Sequence, residues 1–170
     1  MKFIGYHGTD VESANKIENE GFEDSAEGAW LGAGIYFFED LPPFFRGEDL
    51  ALWWVKEYKN FNYWVIYKAE IESENVLDLV EYKNDQFRYR KLWDILLKKH
   101  LEAGHPVEDF SCHDVILQLR RKVEVIRCMV DASKPTAKLN SYIVGHPQIQ
   151  LCVYRNSSRV IKNYSRYKEN

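Results

Sequence analysis

Gly32-Ala33-Gly34-Ile35-Tyr36-Phe37-Phe38 sets three small residues directly before a β-branched residue and three aromatics. Glycines allow a tight turn, and Ile-Tyr-Phe-Phe is a strongly β-prone run, so the stretch predicts a turn opening onto a strand with a core beneath it. Residues 23–29, ahead of it, are acidic and small and predict a loop. Pro42-Pro43, behind it, breaks the chain before a helix expected from about Gly47 to Tyr58.

Working outward from that turn, Phe3 to His7 reads as a first strand that ends in Tyr6-His7-Gly8-Thr9. Thr9-Asp10-Val11-Glu12 has the capping-box pattern, with Thr9 as N-cap, and Gly21 is a natural stop for the helix it opens. Downstream, Tyr63 to Ile71 alternates as a strand. A helix is expected from about Asp85 to Ala103, with Phe87, Leu92, Ile95, Leu96 and Leu101 near one face. Ser111 and Asp114 suggest the cap of another helix, reaching to about Arg121. Val123 to Val130 and Gln148 to Tyr154 read as late strands around a loop of 131–147, followed by a short strand near Arg159–Ile161. The strands are not spaced for regular βαβ crossovers, which predicts one α+β domain over residues 1–170.

Composition narrows the function. The 170 residues are 45% apolar and 29% charged, ordinary for a globular chain. Aromatics reach 15%, a high share that needs a core, an interface or a flat ligand to cover it; core packing alone can absorb most of these rings, and a stackable ligand is the alternative. Net charge is −3, but residues 1–60 hold 12 acids against 5 bases (−7), and residues 61–170 hold 14 acids against 18 bases (+4). Any anion-binding surface is therefore expected in the second half. No apolar run approaches the roughly 18 residues that a membrane helix needs. Met1-Lys2-Phe3-Ile4-Gly5 lacks the apolar stretch of a secretory leader, and the cytoplasm is the expected compartment. Cys112, Cys128 and Cys152 have no metal-like spacing and read as reduced thiols; His100, His105 and His113 match no compact ligand set, so no metal is expected.

Three pieces in order carry a resemblance: Tyr6-His7-Gly8-Thr9, then Gly32-Ala33-Gly34-Ile35-Tyr36-Phe37, then the late strand Gln148-Ile149-Gln150-Leu151-Cys152-Val153-Tyr154. Together they resemble the ADP-ribosyltransferase superfamily, in the branch shared by diphtheria toxin and the poly(ADP-ribose) polymerases. The resemblance implies a split antiparallel β core of two small sheets flanked by helices, with NAD as co-substrate. It implies that the backbone of Gly8 pairs with the nicotinamide carboxamide, with Thr9 beside it, and that His7 meets the adjoining ribose. Tyr36 would stack on the pyridinium ring, a contact worth about 0.5–2 kcal/mol. A second aromatic from the following helix would close the pocket, with Trp53 the first choice and Trp54 the reserve.

Gln150 departs from the pattern, because most active members carry Glu there. Cleaving the nicotinamide–ribose bond develops positive charge on the sugar, which a carboxylate stabilises and an amide meets only with a dipole. His7, Tyr36 and Gln150 are the expected catalytic set, with Gln148 and Tyr142 at the acceptor. Lys134, Lys138 and His146 share the 131–147 loop with Tyr142. Three readings stay open: mono-ADP-ribosyl transfer to a macromolecule (protein, RNA or DNA), binding of NAD or ADP-ribose without turnover, and a Gln in place of a natural Glu. The resemblance also implies a toxin or defence effector, with an antitoxin or inhibitor protein as partner. Separately, the tail interleaves Tyr154, Tyr164 and Tyr167 with Arg155, Arg159, Lys162, Arg166 and Lys168, which suits either a nucleic-acid surface or a solvated terminus.

Overall fold

The computed structural model describes residues 1–25, 29, 31–131, 147–154 and 157–170. Strand β1 (Lys2–Asp10) leads into helix α1 (Val11–Glu20), followed by β2 (Ile35–Glu39) and α2 (Gly47–Trp53). Helix α2 continues as a π-helical turn over Trp54–Tyr58. Next come β3 (Trp64–Glu72), β4 (Val76–Asp78), α3 (Lys83–Glu102) and α4 (Cys112–Leu119), then β5 (Val125–Asp131), β6 (Pro147–Val153), the single turn α5 (Ser157–Val160) and β7 (Ile161–Glu169). The architecture is mixed α+β, with helices flanking one multi-stranded sheet of order β4-β5-β6-β2-β1-β3-β7.

Alternation along the strands sorts the core into two faces. Tyr6, Phe38, Trp64 and Ile66 pack under Leu50, Ala51 and Val55 of α2. On the same face, Leu77, Ile126, Cys128 and Cys152 pack under Val115, Ile116 and Leu119 of α4, with Leu92, Trp93 and Leu96 of α3 against them. The opposite face carries α1, whose Ala14 and Ile17 meet Val65 and Tyr67. Ile35, Phe37, Leu151 and Val153 form the rest of that second layer.

Several local expectations shift. The N-cap of α1 is Asp10, whose carboxylate accepts from the Ser13 N–H at 2.8 Å, while Thr9 stays in the strand opposite Val65. Gly21 does stop the helix, at φ 87°. The inward face of α3 is Tyr89-Leu92-Trp93-Leu96, leaving Phe87, Ile95 and Leu101 exposed. β4 is an added strand, parallel to β5, so the sheet is not antiparallel throughout. Near Arg159 there is a helical turn, and the strand begins at Ile161 and runs nine residues along β3.

Candidate functional site

The centre of the sheet is its thinnest seam. β1 pairs with β3 through nine registered residues, and β2 pairs with β6 through five. β1 and β2 share one registered pair, Tyr6↔Phe38. Just beyond that pair the imidazole Nδ1 of His7 lies 2.8 Å from the main-chain oxygen of Tyr36. A carbonyl oxygen only accepts, so Nδ1 carries the hydrogen and donates it, and in the neutral ring Nε2 keeps its lone pair. The ring sits edge-on to Phe22 (5.3 Å) and 5.6 Å from Phe37. This apolar enclosure disfavours the charged form and holds the imidazole below its ordinary 6.5.

Gly8 is forced by close approach. A Cβ there would lie 2.6 Å from Val55 Cγ1 and 2.8 Å from the Ala51 carbonyl oxygen, so α2 occupies the space a side chain would fill. Thr9, next in the strand, is buried.

The Tyr36 hydroxyl donates to the Gly32 carbonyl at 2.8 Å and accepts from the Leu31 N–H at 3.0 Å. Both bonds fasten the glycine turn to the strand it feeds, and burial pushes the phenol well above its usual range. The ring is half-buried beside the α3–α4 layer. On β6, Cys152 pairs with Tyr36 and Gln150 pairs with Phe38, so all four share one face. Gln150 Nε2 donates to Gln148 Oε1 at 3.4 Å, and Gln148 is buried. Burial raises the Cys152 thiol to about 12, which keeps it protonated and inert.

Gly8, Tyr36, Gln148 and Gln150 are thereby brought to the sheet face that bears α2, α3 and α4. His7 packs on the other face with Phe37 and meets Tyr36 only through the latter's backbone. Of the two tryptophans, Trp54 is the one that reaches the sheet, its ring 6.2 Å from Phe38; Trp53 contacts Tyr58 at 5.9 Å. Tyr142, with Lys134, Lys138 and His146, lies outside the described residues. In the tail, the Tyr154 hydroxyl donates to Leu31 O, Tyr164 donates to Ile17 O, and Arg166 pairs with Glu18 and Glu169, so these three serve packing.

Two features went unread in the sequence. The first is a buried ion cluster, in which Arg127 binds Glu39 through two nitrogens (2.8 and 3.0 Å) and Asp78 through a third at 3.1 Å. A lone Arg inside Val125-Ile126-Arg127-Cys128-Met129-Val130 was its signal. The second is the π-helical turn, which stacks Trp54 on Tyr58 at 4.4 Å and 11°. Among the described residues no group of three or more His, Cys, Asp or Glu is placed to hold a metal ion, and no helix is long and apolar enough to cross a membrane.

An uncharacterised protein of Methanocaldococcus jannaschii is 31% identical to the chain over 99 residues, which cover 55% of this chain and 42% of that protein. The match thus spans less than half of the relative's length. No family model matches the chain, and no solved structure does.

Proposed function

We propose that the chain is an NAD-dependent mono-ADP-ribosyltransferase with its nicotinamide subsite at the β1–β2 seam and a macromolecule, protein or nucleic acid, as acceptor. The observation that supports this reading is the His7–Tyr36 hydrogen bond, which joins segments 29 residues apart in sequence at one seam. The lone registered pair between β1 and β2 supports the finer fold reading too, as two small sheets, β4-β5-β6-β2 and β1-β3-β7, abutting at that seam.

The residues present suit the group. NAD supplies a glycosidic bond whose cleavage frees neutral nicotinamide and leaves positive charge on the sugar. Gly8 and its neighbours would contribute backbone groups to the carboxamide, and Tyr36 a ring face, since its hydroxyl is committed to Leu31 and Gly32. The His7 ring lies on the opposite face with Phe37 and would act by holding the Tyr36 backbone rather than on the ribose itself, and Trp54 would take the role of second aromatic that Trp53 was expected to fill. Gln150 orients through its amide and cannot move a proton, so the chemistry is slow or needs the acceptor's own base. That same amide favours a second reading, a module that binds NAD or ADP-ribose without turnover.

Incubation with NAD labelled in its adenylate phosphate, plus total cellular protein and RNA, tests the proposal. Label enters a macromolecule with the wild-type chain and with Tyr36→Phe, which keeps the ring, and not with Tyr36→Ala. NAD binding by calorimetry without transfer supports the binding module. Neither binding nor transfer overturns both.

A further inference from the structure

The aromatics around the π-helical turn are matched with lysines that, among the described residues, no carboxylate pairs. Lys59 Nζ lies 5.1 Å from the centre of the Trp54 ring and 5.9 Å from that of Tyr58, and Lys56 Nζ lies 5.1 Å from Trp64. Farther along the same face of β3, Lys68 Nζ sits 6.0 Å from Tyr6 and 5.9 Å from Tyr167. Among the described residues none of these three lysines forms an ion pair, and all three are exposed. Lys168, beside Tyr167, does pair, with buried Glu48, which Arg46 also neutralises.

Two rings of the strip are open, Tyr58 at 52% exposed and Tyr167 at 39%, while Trp64 and Tyr6 are buried beneath their lysines and anchor the strip to the core. Trp64 and Lys68 project from one side of β3 and stand about 13 Å apart at the usual strand rise, so cations and rings form a strip rather than a point. The strip begins at the seam, because Trp54 touches Phe38, and Phe38 pairs with both Tyr6 and Gln150.

Exposed cations that no described carboxylate pairs, with an open ring at each end of the strip (Tyr58 and Tyr167), suit a flexible polyanion whose units are flat. Phosphates meet the ammonium groups, and bases lie on the rings. An acidic peptide offers few stackable units, and a phospholipid surface offers phosphates without bases. We propose that this strip binds single-stranded nucleic acid, and that such a strand is the acceptor of the transfer; the acceptor role rests on the preceding reading, and the binding does not.

The test uses the full chain without NAD and a fluorescein-labelled RNA or DNA single strand of roughly 12 nucleotides, a length within the site sizes of single-strand binders. Fluorescence anisotropy is followed against salt. Wild type binds the single strand more tightly than the matching duplex or inorganic polyphosphate, and Trp emission is quenched. Lys56→Gln/Lys59→Gln/Lys68→Gln weakens binding about a hundredfold near 0.1 M salt and lowers the salt slope by about two. Tyr58→Leu weakens it about tenfold with the slope unchanged. Glu57→Lys tightens it, an effect that misfolding cannot mimic. Equal binding of polyphosphate, preference for duplex or for anionic phospholipid vesicles, or variants that all bind as wild type overturn the proposal. NAD affinity of the triple lysine variant, measured separately, stays at the wild-type value. A wild-type chain that binds NAD and no single strand therefore sinks this inference alone, and one that binds the strand and no NAD sinks the seam reading alone.

Discussion

His7 and Tyr36 are joined by a 2.8 Å hydrogen bond from an imidazole N–H to a main-chain carbonyl, at the point where the ladder between β1 and β2 ends. A side chain there takes over from backbone pairing, and the bond fixes which ring nitrogen is left to accept.

That bond gives His7 a pH signature. Enclosure by Phe22 and Phe37 sets its folded pKa below the ordinary 6.5. Above 6.5 both folded and unfolded chains hold it neutral. Between 6.5 and the lowered value the unfolded chain takes up a proton that the folded one refuses, so stability falls as pH falls. His7→Asn keeps a donor near the Nδ1 position and removes the titration. Urea midpoints at about pH 7.5 and about pH 5.5 then diverge less in His7→Asn than in wild type.

Gly8→Ala costs about 1–3 kcal/mol, the range for forcing an atom into a packed site. Adding Val55→Ala relieves the 2.6 Å contact and recovers only part of the loss, because the Ala51 carbonyl at 2.8 Å is backbone. Denaturant unfolding of the single and double variants measures both effects.

Gln150→Glu returns a carboxylate to the face shared with Tyr36 and Phe38. Opposite charges about 4 Å apart at an effective dielectric near 20 attract by about 4 kcal/mol. Nicotinamide release is accordingly expected to rise about a hundredfold, allowing for incomplete geometry. An unchanged release rate speaks against Gln150 as the residue facing the sugar.

Arg127→Met strands Glu39 and Asp78 without their counter-ion and costs about 3–5 kcal/mol in urea unfolding. Adding Glu39→Gln and Asp78→Asn recovers most of that, because the buried charges are then gone. Glu81, 75% exposed, matters little to either variant.

Where sequence and fold agree, the cause is local. Ile35 to Phe38 is β-prone whatever surrounds it, Gly21 adopts a positive φ that other residues resist, and Ser111 with Asp114 forms its capping box within one turn. Where they part, a distant element decides. Thr9 is withheld from the cap because β3 pairs with β1 as far as Asp10. β7 hides from pattern reading because an edge strand exposed from Lys162 onward has no buried alternation to display. Phe87 and Ile95 fit a helical stripe as well as Tyr89 and Trp93 do, and only the position of α4 selects the second pair. At the candidate site, motif order did not reveal that the His7 ring and the Tyr36 ring lie on opposite faces of the sheet, joined only through the Tyr36 backbone, because that depends on strand register. The choice between Trp53 and Trp54 was not readable, since the π-helical turn stacks Trp54 on Tyr58 and leaves Trp54 against Phe38.

Within one seven-stranded sheet, β1 is stitched unevenly, by nine rungs on one flank and by a single rung with an imidazole on the other. Amides of β1 that face β3 are shielded from solvent hydrogen far longer than those that face β2. Helix α2, lying across Tyr6 and Phe38 alike, braces the weaker flank, so loosening its grip exposes the β2-facing amides of β1 first.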